Sequence, residues 1–285
     1  MRYSDLRKSN YPRSGHQSSF TTRNQHESPR LDRNALHTQI GNVDSDTAAR
    51  IRDEAAELAT SVGVISADNS RFPVQLVRRG KAIVPALFYR GELGLLDTPM
   101  VAVSGSRKVS DRGAAAATRL GEIVAQSGQT LVSGNARGVD TLATTAASSR
   151  GGSTVLVLPE GITHFRPDEE NPDIGMSDST GLVLSQFSPH QPWSVHTAMG
   201  RNRVICGLAG TVVVVEAGES GGSLAAGREA LKLGRHLVTL TYGDHKPEGN
   251  QILISEGASP VASPDALREA LLPPSDDEPE QARLL

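Results

Sequence analysis

From Met100 to Leu240, six apolar runs rich in β-branched residues recur: MVAVS, TLVS, STVLVL, GLVLS, TVVVVEA and HLVTL. Between most of them lie stretches of helical character, DRGAAAATRLGEIVAQ, VDTLATTAASSR, AMGRNRVICGLA and GSLAAGREALKL, and SPDALREALL closes the series with Ser263 as a cap and Pro264 in the first turn. A strand that is apolar at every position fits a sheet covered on both faces. Alternation with helices makes that sheet mostly parallel and doubly wound, an α/β fold of Rossmann-like type. Ligands of such sheets bind beyond the carboxyl ends of the strands. Function is therefore to be sought in the loops that follow them.

The 285 residues exceed one such domain, and the ends account for the excess. Residues 1–44 show almost no apolar periodicity and are rich in Ser, Arg, Asn, Gln and His, a composition that cannot offset chain entropy by burial. This segment is expected to be a disordered basic arm, seven cations against four acids, serving as a solvated spacer or as a weak tether to polyanions. Residues 45–71 read as a helix, Asp46 to Ser61, and a connector. Residues 72–272 form the Rossmann-like domain, with an early strand at ALFYRG. Residues 273–285, proline with clustered acids, read as a disordered acidic tail.

Net charge is −3, so attraction to nucleic acid must come from a local patch. The single cysteine, Cys206, excludes an internal disulfide and a cysteine-rich zinc site, and VICGLAG makes it a small buried residue. The histidines lack metal-ligand spacing, so neither metal nor cofactor is expected. No apolar run reaches the ~18 residues of a membrane span and no signal-peptide core is present, which gives a cytoplasmic, non-membrane expectation.

Four strand-end loops stand out. SGSRKVSDRG follows MVAV: Gly105 and Ser106 let a backbone approach, Arg107 and Lys108 add charge, and the helix start offers N–H groups to an anion. A tight turn with solvated cations is the competing reading, since neither the dinucleotide fingerprint nor the Walker spacing is present. SGNARGVD ends a strand at Ser133 and Gly134 and opens a helix at Gly138; Arg137 falls on the ligand side, and Asp140 is explained by capping as well as by a ligand. In GRNRVICGLAG, Arg201 and Arg203 flank Asn202 at a helix start, where positive charge is unfavourable and an anion would relieve the conflict. The fourth loop contains Gly218-Glu219-Ser220-Gly221-Gly222, a G-x-S-x-G that raises a serine hydrolase. Downstream, however, only His236, Asp244 and His245 could complete a triad, and no HGGG-type segment lies upstream.

In order, the loops SGSR-x-x-S-x-x-G, SG-x-ARG-V-D, GG-x-T-V-x-V-L, RNR-x-I-x-GL, VVVEA with a G-S-L turn, an alanine helix ending in GR, and G-N-x-x-LI-x-x-GA resemble the DNA-processing protein A family (DprA, also called Smf). The carriers include Ser110, Gly113, Glu216, Gly222, Ser223, Arg235 and Gly249, and the likeness runs from Phe72 to Ala258. It implies an extended Rossmann-like (DprA/SLOG-like) domain that binds single-stranded DNA, usually as a homodimer, and assists loading of the RecA recombinase in natural transformation, competence or DNA recombination. It implies no enzymatic activity. The DNA-binding residues it suggests are Gly105, Ser106, Arg107, Ser133, Gly134, Arg137, Gly138, Arg201, Asn202, Arg203, Gly222 and Ser223. The family's histidine after G-I-D is here Thr144, the acid of its S-E pair is Gln186, its F-P before R-N-R is Met199-Gly200, and the asparagine of its final motif is Gln251.

The alternative is a nucleotide-binding or nucleotide-hydrolysing enzyme or sensor on the same scaffold. Aligned with the P-G-G-x-G-T-x-x-E loop of the phosphoribohydrolases, this chain puts Ala226 where the catalytic glutamate belongs, and alanine performs no acid–base work. An interaction module with purely structural loops is a third reading. Few aromatics lie near the loops, so base stacking is expected to contribute little.

Overall fold

A computed structural model describes residues 62–166, 179–241 and 247–272. The arm, the helix expected over Asp46 to Ser61, the acidic tail, and Asp244 and His245 lie outside the described residues.

The described residues contain a nine-stranded sheet and a two-stranded hairpin. The sheet is built from β1 (Gly63–Ser66), β4 (Ala86–Gly91), β5 (Met100–Ser104), β6 (Thr130–Ser133), β7 (Thr154–Val157), β8 (Gly181–Ser185), β9 (Thr211–Val214), β10 (His236–Leu240) and β11 (Ser259–Val261), in the order β1-β4-β8-β7-β6-β5-β9-β10-β11. The hairpin is β2 (Val77–Arg78) with β3 (Lys81–Ala82). From β8 to β11 every pair is parallel, while β4 joins β8, and β1 joins β4, antiparallel. The chain thus builds outward from β5 through β6 and β7 to β8, then returns to place β9 on the other side of β5. That reversal between β5 and β9 is the topological switch point, where such sheets open a ligand crevice. Strand β1 falls within the stretch expected to be connector.

Helices α1 (Asp111–Gln126) and α2 (Val139–Ser149) cover one face; α3 (Val195–Gly200), α4 (Asn202–Leu208), α5 (Gly222–Lys232), α6 (Glu248–Ser255) and α7 (Pro264–Ala270) follow in the chain. Alternate residues of each central strand serve opposite faces. Val101 and Val103 of β5 join Leu120, Val124, Val213 and Leu267, whereas Met100 and Ala102 join Val204, Leu208, Val212 and Leu253. This two-sided burial is the reason the strands are apolar at every position. A further apolar cluster, with Phe88, Leu156, Ile162 and Phe165, lies towards the β1 edge.

Local rules set the ends of the elements. In α1 the buried positions 113, 117, 120, 121 and 124 fall on one helical face, Ser110 caps the start and Gly128, at φ 70°, follows the end. The Ser263 hydroxyl accepts from the Ala266 N–H, with Pro264 in the first turn of α7, as the sequence leads one to expect. The single helix expected over AMGRNRVICGLA is two: α3 begins earlier, at a Ser194–Thr197 capping box, and Arg201 joins it to α4. Cys206 is buried, and burial pushes its thiol up to about 12.

Candidate nucleic-acid interface

The loop after β6 rests on the loop after β5. The Val139 N–H donates to the Ser106 carbonyl at 3.2 Å, and Gly138, at φ 92°, lies so close that a Cβ there would stand 2.3 Å from that same oxygen. Only glycine permits both the left-handed backbone and this approach. Asn135 is also left-handed, at φ 49°, a conformation asparagine tolerates better than most residues. These contacts hold Arg107 and Arg137, both exposed, on the ends of neighbouring strands. Among the described residues Arg137 makes no ion pair.

Beneath this surface the polar residues of the same motifs face inward. Ser133 is 1 % exposed; its hydroxyl meets the Thr144 hydroxyl at 3.0 Å and accepts from the Asn135 N–H at 3.1 Å. Thr144 also donates to the Asp140 carbonyl at 2.8 Å. Asp140 does not cap its own helix, whose N-cap is Gly138. Its Oδ2 instead reaches back to accept from the Gly134 N–H at 3.2 Å and the Ala136 N–H at 3.4 Å, shaping the loop before the helix.

Arg201 is likewise interior, 6 % exposed. Its guanidinium covers Gly134, where no side chain could fit, and Nη1 donates to the Val157 carbonyl at 3.1 Å. Burial lowers its pKa, and the charge of Asp140 opposes that shift. Conversely, burial raises the Asp140 carboxyl, opposed by Arg201, by the Ala136 and Gly134 N–H groups and by Arg107. The positive charge at this helix start is therefore balanced from within the protein, where the sequence suggested an outside anion. Arg203 is exposed and lies 3.8 Å from Glu229, so it too has an internal acid.

A second internal anion occupies the helix start expected to receive a ligand. Glu216, just past β9, accepts from the Ser110 N–H and hydroxyl at 3.1 Å each, and its Oε2 leaves no room for a Cβ at Gly113. At the switch point the start of α1 thus carries an acid of the chain itself, bonded to the N-cap Ser110. The start of α5 differs. Gly221 and Gly222 are exposed with open space around them and no side-chain cap, while the Asn202 amide donates to the Gly222 carbonyl at 3.3 Å and Ser223 is half-buried.

The twelve residues thus divide: Arg107, Arg137 and Arg203 are exposed, Gly105, Ser106, Gly138, Asn202 and Ser223 are partly exposed, Gly222 is open, and Ser133, Gly134 and Arg201 are buried. Asn250 stands in the closing G-N-x-x-LI-x-x-GA motif of the sequence, where the pattern alone assigns it no role. It is fully buried, accepts from the Ala217 N–H and donates to the Val215 and Leu240 carbonyls, tying the ends of β9 and β10 to α6. The signal in the sequence is an asparagine directly after the motif glycine and just ahead of the apolar run ILI. Ser220 of the G-x-S-x-G is exposed in a loop. Among the described residues no group of three His, Cys, Asp or Glu could hold a metal, and no helix is long and apolar enough to cross a membrane.

The family model of DNA recombination-mediator protein A matches residues 63–272. The DNA processing protein DprA of Streptococcus pneumoniae is 37 % identical over 180 residues, 62 % of this chain and 63 % of that protein. Protein Smf of Escherichia coli is 35 % identical over 211 residues, 73 % of this chain and 56 % of that protein. The chain therefore spans less than two thirds of the length of these relatives. The X-ray structure of DprA from Streptococcus pneumoniae superposes with a TM-score of 0.66 at 28 % identity, covering 79 % of this chain and 82 % of that one. DNA processing protein A from Helicobacter pylori, described for its single-stranded DNA binding mode, shares the fold with a TM-score of 0.64 at 24 % identity, covering 74 % of this chain and 95 % of that one.

Proposed function

The chain belongs to the DNA recombination-mediator protein A family, and from that premise we propose that it binds single-stranded DNA along the strand-end loops and acts as a recombination mediator. The observation that carries this reading is the seating of the β6 loop on the β5 loop, which sets exposed Arg107 and Arg137 side by side over glycine and serine backbone. Phosphates are the ligand that such a surface suits. Arg203, Asn202, Gly222 and Ser223 extend the track. Ser133, Gly134 and Arg201 support it from below, Arg201 as a positioning residue under the β6 loop.

In this reading the protein binds and does not catalyse. Ala226 supports that, being buried at 3 % exposure where the phosphoribohydrolases carry their glutamate. The RecA recombinase and a second copy of this chain are the partners we assign, in the cytoplasm. The open start of α5 favours one other reading, a site for a small nucleotide, and release of free base from AMP by the pure protein would establish it.

The test is a salt titration of binding to single-stranded DNA, duplex DNA and mononucleotides. Arg137→Glu is expected to weaken single-strand binding and to reduce the slope of log affinity against log salt by about 0.7, at unchanged melting temperature. Unaltered single-strand affinity overturns the assignment.

A further inference from the structure

At the opposite edge of the sheet, where the strands begin, a second cationic surface has no part in the site above. The hairpin turn presents Arg78, Arg79 and Lys81, all exposed, beside the end of α5. The Arg78 guanidinium donates to the Leu233 carbonyl and lies against Gly234, whose next residue is Arg235. Arg235 in turn donates to the carbonyls of Gln75, at 2.8 Å, and Gly207, at 2.6 Å, while its Nε is buried without a partner. Burial, then the neighbouring charge of Arg78, lowers the Arg235 pKa. Among the described residues, none of Arg78, Arg79, Lys81 and Arg235 has a carboxylate within ion-pair distance.

The helix end explains part of this. Cations are favoured at a helix C-terminus, which accounts for Arg78 and for Lys232. It does not account for Arg79, which with Gly80 forms the turn at φ 49° and 74°, a geometry that prefers asparagine or glycine at its first position. Nor does it account for Lys81, directly opposite Arg78 in the hairpin; Arg235, by contrast, is accounted for by the Gly207 carbonyl in the last turn of α4.

We propose that the exposed Arg78-Arg79-Lys81 hairpin, held from below by the bond of Arg235 to the Gln75 carbonyl, forms a second phosphate-binding surface, which takes the continuation of the same single DNA strand after it leaves the strand-end loops. The proposal rests on the single-strand reading above. The two surfaces lie at opposite ends of the strands, and five-residue β10 alone spans about 17 Å. Duplex DNA, with a persistence length of about 50 nm, cannot turn round one domain to touch both edges, whereas a single strand can. Arg228 and Lys232, both exposed and one turn apart on α5, lie along the way; each already has a carboxylate partner.

The experiment compares oligothymidylates of about 6 and about 30 nucleotides, titrated with salt, on the full chain and on the double variant Arg79→Asn, Lys81→Gln. Asparagine suits the left-handed turn, and neither replaced side chain carries a hydrogen bond or ion pair, so the fold is retained, which an unchanged melting temperature verifies. For the long strand the slope of log affinity against log salt is expected to fall by about 1.4, two contacts at about 0.7 each, with no change for the short strand. An unchanged slope with the long strand overturns the proposal, as does an equal loss with both lengths, or a loss seen with duplex alone. Failure of the wild-type chain to bind either length overturns the single-strand reading itself and is distinguished by that from failure of the second surface.

Discussion

The Glu216 carboxylate, one residue beyond the valine that ends the apolar run of β9, is hydrogen-bonded through one oxygen to both the backbone N–H and the hydroxyl of Ser110 at 3.1 Å. One acid thus closes the α1 terminus across the switch point and supplies the negative charge that a helix start favours. Glu216→Ala removes both bonds and is expected to lower the free energy of unfolding by about 1–3 kcal/mol in urea titrations. Glu216→Gln, which keeps an acceptor and removes the charge, should cost less than Glu216→Ala but more than nothing; wild-type stability in Glu216→Gln would show that the charge contributes nothing to the contact.

Gly138→Ala tests the seating of the two loops. A methyl group there meets the Ser106 carbonyl at 2.3 Å on a backbone at φ 92°. The variant is expected to lose about 1–3 kcal/mol of stability. It should also lose single-strand affinity while Arg107 and Arg137 are both intact, because their mutual placement depends on this contact. Wild-type affinity in a destabilised variant would separate the loop geometry from binding.

Asp140 gives a pH dependence of definite sign. Burial raises its folded-state pKa above the ordinary aspartate value of about 3.9, so within the window between those two values the folded state holds more protons than the unfolded one. Stability contributed by this group is present below the ordinary value and is lost as pH rises through the raised one. Asp140→Asn, which resembles the protonated acid and has no titration, should therefore gain on the wild type as pH increases. Denaturant titrations of both proteins from acid to neutral pH check this, and a difference moving in the opposite direction would falsify it.

Asn250→Leu is expected to be severe. Its amide accepts from the Ala217 N–H and donates to the Val215 and Leu240 carbonyls in a fully buried position, and leucine removes all three bonds. A buried unsatisfied group costs about 1–3 kcal/mol, so loss of soluble, cooperatively unfolding protein is the expected outcome. A variant within about 1 kcal/mol of wild type would mean that water replaces the side chain.

The sequence by itself determined the parallel sheet, since strands apolar at every position demand cover on both faces, and Val101 with Val103 against Met100 with Ala102 show that demand being met. It also located the helices α1, α2 and α5 and the loops between them, because periodicity, caps and glycines act over a few residues. It did not reveal β1, β11 or α6, short elements with weak local patterns whose place is set by their neighbours. Nor could it tell Arg137 from Arg201. Both are arginines in strand-end motifs, yet one is exposed and the other is buried over Gly134 with Asp140 nearby. Only the tertiary structure decided that, and likewise that Glu216 bonds Ser110 at the start of α1. The partners come from distant stretches of chain, 106 residues apart for Ser110 and Glu216. Whether a charge faces water or another side chain depends on packing between such stretches, and a local pattern carries no record of it.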